Sequence, residues 1–134
     1  MTFVFLLIFQ ISFGQESIIT GKVLDEDLIA LPGVLIKSNS KEIATTDING
    51  NFKFKITLEI KNLEFFFLGM ESEKIVIREN CNNIELIMLG QSTYCLMSLK
   101  AAERKIKRNR KRKLPKLYIE AYENGMFDNK QSCR

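Results

Sequence analysis

The feature that most constrains this chain is a period-two alternation of apolar and polar residues between positions 17 and 89. Phe52 and Phe54, for example, alternate with Lys53 and Lys55. Successive side chains of a strand point to opposite faces of a sheet, so this pattern predicts strands with one buried face. Turn-forming residues recur about every 8–12 positions, a spacing typical of a β-sandwich. The sequence therefore predicts an all-β fold of about seven short strands.

One apolar segment departs from the alternation. Residues 63–68 (LEFFFL) are almost wholly apolar, which is typical of a strand buried on both faces. We therefore expect this strand to be central in the fold. The other strands are predicted around residues 19–23, 34–36, 42–46, 52–55, 75–77 and 84–89.

Five residues are predicted to shape the turns. Asp47 can accept a hydrogen bond from a backbone N–H two residues on, and Gly50 can adopt a positive φ without a Cβ clash. Phe52 then enters the next strand as an apolar anchor. Pro32 suits the entrance to an edge strand, and Gly33 lets the chain bend beside it. A calcium loop is disfavoured, because the glycine of an EF-hand loop is its sixth residue and Gly50 is only the fourth from Asp47.

Three motifs in order carry a resemblance to a known family. They are G-x-V-x-D at residues 21–25, L-P-G-V at 31–34 and T-T-D-x-x-G-x-F at 45–52, followed by the apolar run 63–70. Together they resemble the carboxypeptidase regulatory-like domain over residues 17–90. Met70 stands where that family usually has an aromatic residue, and Ala30 replaces a common proline.

The resemblance implies a seven-stranded, transthyretin-like Greek-key sandwich. Domains of this family occur beside metallocarboxypeptidase domains, at the N-terminus of outer-membrane TonB-dependent receptors, and as lone exported proteins. The domain itself is not the catalyst, so the resemblance implies no catalytic residue, no metal site and no cofactor for this chain.

The composition also argues against catalysis, because the sequence contains no histidine. A Ser–His–Asp triad, a His-ligated zinc and an imidazole base are therefore excluded. The cluster Asp25, Glu26 and Asp27 is interpreted as a solvated turn rather than as a general acid and base. Cys81 has no histidine to activate it as a nucleophile. We therefore expect a protein that is not an enzyme.

The cysteines leave one question open. Cys81, Cys95 and Cys133 contain no Cys-x-x-Cys pair, so neither a zinc knuckle nor a disulfide framework is indicated. A Cys81–Cys95 bridge is an alternative to free thiols if the chain is exported.

Residues 1–14 are interpreted as a signal peptide. Their apolar run is shorter than the roughly 20 residues of a membrane-spanning helix, and Ser12 and Gly14 suit cleavage before Gln15. The usual basic start is missing, since the first basic residue is Lys22. The alternative is a buried N-terminal strand or helix. The first interpretation predicts export to the periplasm or the outer membrane.

The C-terminal region, residues 96–134, is predicted to be a basic and partly helical extension. Residues 100–116 hold ten basic residues and one acid, whereas residues 16–99 hold eight basic and twelve acidic residues. Pro115 suits the first turn of a separate short helix over residues 115–124, whose Tyr118 and Tyr122 would pack against the sandwich or a partner.

Three hypotheses cover the basic segment: a solvated extension without a partner, contact with an anionic membrane surface through residues 100–116, and nucleic-acid binding. Export and the absence of a recognition fold disfavour nucleic acid. The candidate contact residues are Arg104, Lys105, Lys107, Arg108, Arg110, Lys111, Arg112 and Lys113.

Taken together, these patterns predict a non-catalytic, exported binding or assembly module of the bacterial cell envelope, with a protein or envelope partner that the sequence does not identify. The alternative is a detached relative of the N-terminal extension of a TonB-dependent receptor. A barrel-encoding frame immediately downstream in the genome would favour that alternative.

Overall fold

The computed structural model describes residues 16–91, 96–131 and 133. Within these residues, seven strands are followed by one long helix. The elements are β1 Ser17–Asp25, β2 Leu35–Ser38, β3 Lys41–Thr45, β4 Asn51–Ile56, β5 Asn62–Phe66, β6 Glu73–Val76, β7 Asn83–Met88 and α1 Leu99–Glu123. The predicted signal peptide, residues 1–14, lies outside the described residues.

The seven strands form two sheets. One has the order β4-β1-β7 and the other the order β3-β2-β5-β6. Strands β1 and β7 are parallel, with Val23 beside Leu86, and all other paired strands are antiparallel. The predicted seven-stranded all-β sandwich is therefore confirmed.

The main core lies between the inner faces of the two sheets. Phe52 and Phe54 of β4 are buried there, and the ring of Phe52 meets the ring of Phe65 edge-on at 5.5 Å between centroids. Gly21 of β1 makes room for this ring, because a Cβ at position 21 would lie 2.3 Å from a Phe52 ring carbon and 2.1 Å from the Ile84 carbonyl oxygen. The alternation seen in the sequence thus has its physical cause in this single shared interior.

The prediction that residues 63–68 are buried on both faces was wrong. Leu63 and Phe65 are buried, but Phe66 is 37% exposed and Leu68 is 86% exposed. The outer side of β5 faces away from the core, and Lys37 Nζ lies 5.0 Å from the centre of the Phe66 ring. An apolar run does not show by itself which sheet carries a further layer.

Strand β7 is buried on both faces. Its Ile84 and Leu86 belong to the core between the sheets, whereas Ile87 packs on the opposite face. That outer face is covered by α1 and the turn that follows it. The outer cluster contains Leu24, Leu28, Ile87, Tyr118, Ala121 and Phe127. Helix α1 therefore forms a third layer over the three-stranded sheet.

The C-terminal region forms one helix, which corrects the prediction of a separate helix starting at Pro115. Ser98 caps the N-terminus by accepting a hydrogen bond from the Ala101 N–H, and the helix continues through Pro115 to Glu123. A proline inside a helix removes one backbone hydrogen bond. The interruption is tolerated because Arg110 is held on the sandwich before the proline and Tyr118 after it.

Besides the packing of Phe127, a disulfide and a set of hydrogen bonds attach the chain after α1 to the sandwich. Cys133 forms a disulfide with Cys81, with 5.9 Å between their Cα atoms. The buried carboxylate of Glu85 accepts hydrogen bonds from the backbone N–H groups of Asp128 and Asn129. The alternative Cys81–Cys95 bridge is therefore not formed, and Cys95 lies outside the described residues.

Candidate functional site

Two of the predicted turn residues, Asp47 and Gly50, lie in the β3–β4 connection. Asp47 Oδ1 accepts hydrogen bonds from the N–H groups of Asn49 and Asn51, each at 2.9 Å. Gly50 has a φ of +73°, and a Cβ there would lie 2.5 Å from the Val23 carbonyl oxygen. These contacts fix the turn against β1 and direct Phe52 into the core.

Pro32 and Gly33 lie in the β1–β2 connection, which is tied to the same turn through Thr46. The buried Thr46 hydroxyl accepts from the Val34 N–H at 2.9 Å and donates to the Leu31 carbonyl oxygen at 2.6 Å. The Gly33 N–H donates to the Thr46 carbonyl oxygen at 3.1 Å. The three sequence motifs described above therefore meet at one end of the sandwich, and their contacts there are structural.

Asp25, Glu26 and Cys81, which were considered for catalysis, have structural partners. Asp25 Oδ1 accepts hydrogen bonds from the Asp27 and Ile29 N–H groups, each at 2.9 Å. Glu26 pairs with Lys113 at 3.2 Å. Cys81 is in the disulfide, which removes its thiolate. Among residues 16–91, 96–131 and 133, no group of three or more potential metal ligands is assembled.

Helix α1 carries the densest charge in the molecule, and the structure divides its predicted contact residues into two groups. Arg110 and Lys113 face the sandwich, where they form ion pairs with acids. Lys105 also has an interaction partner. The other predicted residues are exposed: Arg104, Lys107, Arg108, Lys111 and Arg112. Lys100 and Lys116 are exposed as well and extend this group at both ends.

The exposed cations lie in two neighbouring lines along the helix. Residues spaced by three or four positions share a helix face. Lys100, Arg104, Lys107 and Lys111 form one line, and Arg108, Arg112 and Lys116 form the other. We call these seven residues the cationic face. Like charges at this spacing repel each other by a few tenths of a kcal/mol per pair. An approaching anion reduces this repulsion and therefore stabilises the helix.

Arg110 anchors the helix. Its guanidinium contacts Glu71 at 3.0 Å and also pairs with the buried carboxylate of Glu73. Burial by itself lowers the pKa of Arg110, but the two carboxylates raise it by more, so the net pKa is above its ordinary value. Arg110 therefore stays charged and holds α1 in one orientation.

Sequence reasoning missed the anchors of the helix. Glu71 lies just before β6 and Glu73 is its first residue. They are 39 and 37 positions from Arg110, so no local spacing links them to the helix. Tyr118 was expected to pack against the sandwich or a partner, and it is buried on β7, where its Oη accepts a hydrogen bond from the Ile87 N–H at 3.1 Å. Tyr122 is 40% exposed.

The start of α1 has a second surface feature, which is apolar. Leu96, Met97 and Leu99 are exposed beside the Ser98 cap. In the described part of the chain, no helix has the length and apolar character needed to cross a membrane.

The similarities found to known proteins are partial. No family model matches the chain, and no curated protein matches it either. Among solved structures, it is similar to BcpA, the major pilin subunit of Bacillus cereus, in two crystal structures. A variant form of BcpA has 17% identity and a TM-score of 0.38 over 57% of this chain. The unmodified subunit has 16% identity and a TM-score of 0.37 over 58% of it. Each match spans 30% of the pilin chain.

Proposed function

We propose that this protein is a non-catalytic binding module of the bacterial cell envelope, in which the sandwich presents the cationic face of α1 to an anionic partner. The observation that carries the proposal is the placement of seven exposed cations on a helix that ion pairs and a buried tyrosine fix to the sandwich. A fixed helix binds an anionic surface without first paying the entropy of folding.

Export is supported by the disulfide. Cys81 and Cys133 are 52 positions apart, and their bond ties the C-terminal segment to the start of β7. Disulfides persist mainly in oxidising compartments such as the periplasm and the cell exterior. The disulfide supports an oxidising compartment, and we propose that this compartment is the periplasm or the outer membrane. N-terminal sequencing of the protein recovered from cell fractions tests this, and an uncleaved chain in the cytoplasmic fraction would contradict it.

At the family level, we assign the sandwich to the transthyretin-like, carboxypeptidase regulatory-like type. The support is that the three motifs meet at the turns around Thr46 and Gly50. The same assignment implies a domain that binds or assembles rather than one that catalyses.

The binding proposal is tested by removing charge from one line of the cationic face. In the triple variant Lys100→Gln, Lys107→Gln and Lys111→Gln, three exposed cations become neutral. Each Lys near an anionic surface contributes about 1 kcal/mol, so we expect binding to anionic vesicles to weaken about a hundredfold at low salt. Vesicle co-sedimentation and retention on heparin across a salt gradient give the measurement.

The matched control removes the same charge from the sandwich. Lys41, Lys53 and Lys74 are exposed lysines on β3, β4 and β6. Their triple replacement by Gln should leave binding within about threefold of the unmodified protein, because the change in net charge is the same but its place is different. If the unmodified protein binds neither vesicles nor heparin at low salt, the basic segment is a solvated extension and the proposal fails.

A further inference from the structure

The start of α1 exposes three apolar side chains within four positions. Leu96 is fully exposed, Leu99 is 86% exposed and Met97 is 45% exposed. Single exposed apolar residues are common on protein surfaces, but neighbouring ones form a patch that water solvates poorly. We call Leu96, Met97 and Leu99 the apolar tip.

The apolar tip lies far along the helix from its anchor. Arg110, which pairs with Glu71 and Glu73, is eleven positions after Leu99. At a rise of 1.5 Å per residue, this is about 16 Å along the helix axis. Between the tip and this anchor, the side chains of Lys100, Arg104 and Lys107 are exposed. The tip is therefore presented at one end of a fixed, charged rod.

This arrangement matches the two layers of an anionic bilayer surface. Lys and Arg interact with acidic headgroups. Apolar side chains contribute favourably to binding only if they enter the acyl boundary beneath the headgroups. The long stems of Lys100 and Arg104 allow their charges to remain at headgroup level when a neighbouring leucine is buried. A nucleic acid or a soluble polyanion offers charge but no apolar phase, so it would leave the tip in water.

From this geometry we infer that the protein docks on anionic lipid bilayers by inserting Leu96, Met97 and Leu99 into the acyl boundary. The cations of the cationic face that lie nearest the tip, Lys100, Arg104 and Lys107, bind the headgroups. The inference rests on the proposed function and narrows its anionic partner to a lipid surface. It adds an apolar contribution to binding, which salt does not screen.

The chain contains no tryptophan, which gives a direct test of insertion. In Leu99→Trp, the new indole is the only tryptophan and reports on the tip. We use the protein as recovered from the cell, with vesicles of phosphatidylglycerol and phosphatidylcholine or of phosphatidylcholine alone. We expect its emission to shift to shorter wavelength with the anionic vesicles, and brominated lipid to quench it.

Leu58→Trp is the matched control. Leu58 is 96% exposed in the β4–β5 turn. This turn follows Ile56, which pairs with Ser17 at the start of β1, whereas Lys113 of α1 reaches Glu26 beyond the end of β1. The control tryptophan is thus equally exposed at the other end of the sandwich. We expect its emission to remain unchanged under the same conditions.

A second experiment separates the apolar from the electrostatic contribution. The double variant Leu96→Ser and Leu99→Ser keeps every charge and changes only exposed side chains. Because burial of apolar surface drives insertion, we expect its affinity for anionic vesicles to fall about tenfold or more, whereas its retention on heparin stays the same. At high salt, the unmodified protein should keep residual vesicle binding that the double variant lacks.

The outcomes distinguish this inference from the proposed function. Salt-sensitive vesicle binding without a shift of Leu99→Trp emission, and without an effect of the double variant, overturns insertion but leaves a cationic binding module. Retention on heparin with no binding to anionic vesicles also overturns the inference and points to a soluble polyanion. Binding to neither overturns both proposals.

Discussion

Gly50 and Gly69 both have a positive φ, of +73° and +84°, but their surroundings differ. A Cβ at position 50 would lie 2.5 Å from the Val23 carbonyl oxygen, whereas nothing lies within 4 Å of a Cβ at position 69. The two positions therefore separate the cost of backbone strain from the cost of a clash.

We expect Gly50→Ala to lower the free energy of unfolding by about 2–4 kcal/mol, the sum of positive-φ strain and displacement of β1. Gly69→Ala has only the strain and should cost about 1 kcal/mol. Chemical denaturation of both variants gives the comparison. Equal losses in the free energy of unfolding would show that the close approach of Val23 does not add to the cost of a side chain at position 50.

Tyr118 acts through its hydroxyl as well as its ring. Its Oη accepts a hydrogen bond from the Ile87 N–H at 3.1 Å. Ile87 lies on β7, whose other edge is paired with β1. Tyr118→Phe leaves this buried N–H without its partner, so we expect a loss of about 1–3 kcal/mol in the free energy of unfolding. Tyr122→Phe is the control. Tyr122 is 40% exposed, and its change should remain within about 0.5 kcal/mol. Identical stabilities of the two variants would argue against the hydrogen bond.

At the scale of elements, the sequence identified the strands better than their surroundings. The spacing of Phe52 and Phe54 predicts a half-buried strand, because the alternation of apolar and polar residues is a property of the local chain. The apolar segment that contains Phe66 and Leu68 led to a wrong prediction of burial on both faces. Whether a sheet face is covered depends on an element far away in the sequence. Only contacts in the folded chain show that β7, rather than β5, has a second layer.

The cationic helix shows the same division. Its charge, its later tyrosines and the stop at Asn124 and Gly125 are visible in the sequence. Its pairing with Glu71 and Glu73 is not, because those acids lie more than 35 positions away and resemble any other surface carboxylates. The continuity of the helix through Pro115 was also missed, since a proline more often starts a helix than lies inside one.

Pro115 gives a prediction at this scale. A proline in a helix interior is about 3 kcal/mol less favourable than alanine, and its ring is exposed here. We expect Pro115→Ala to raise the free energy of unfolding by about 1–3 kcal/mol. The neighbouring Lys116→Ala should change it by less than about 0.5 kcal/mol. Chemical denaturation followed by circular dichroism measures both. An unchanged or lower stability of Pro115→Ala would favour two separate helices that meet at this residue.

At the scale of the whole molecule, the disulfide decides how the third layer is held. Closing a loop of about fifty residues stabilises a folded chain by about 2–4 kcal/mol. We expect Cys133→Ser to lose that amount in thermal or chemical denaturation, and a reducing agent to produce the same loss in the unmodified protein. Cys95→Ser is the control and should have no effect. The opposite result for the two variants would restore the Cys81–Cys95 pairing.

The Cys81–Cys133 bond also encloses the connection between β7 and α1 within a covalent ring. A protease that cut this connection would produce two fragments that cannot separate, because the second fragment remains joined to the first through Cys133. Tyr118 would then stay beside Ile87, and the edge strand β7 would stay covered and unable to pair with another copy of the protein. Loss of the third layer, and the self-association that follows from it, should therefore require both a nick and a reductant.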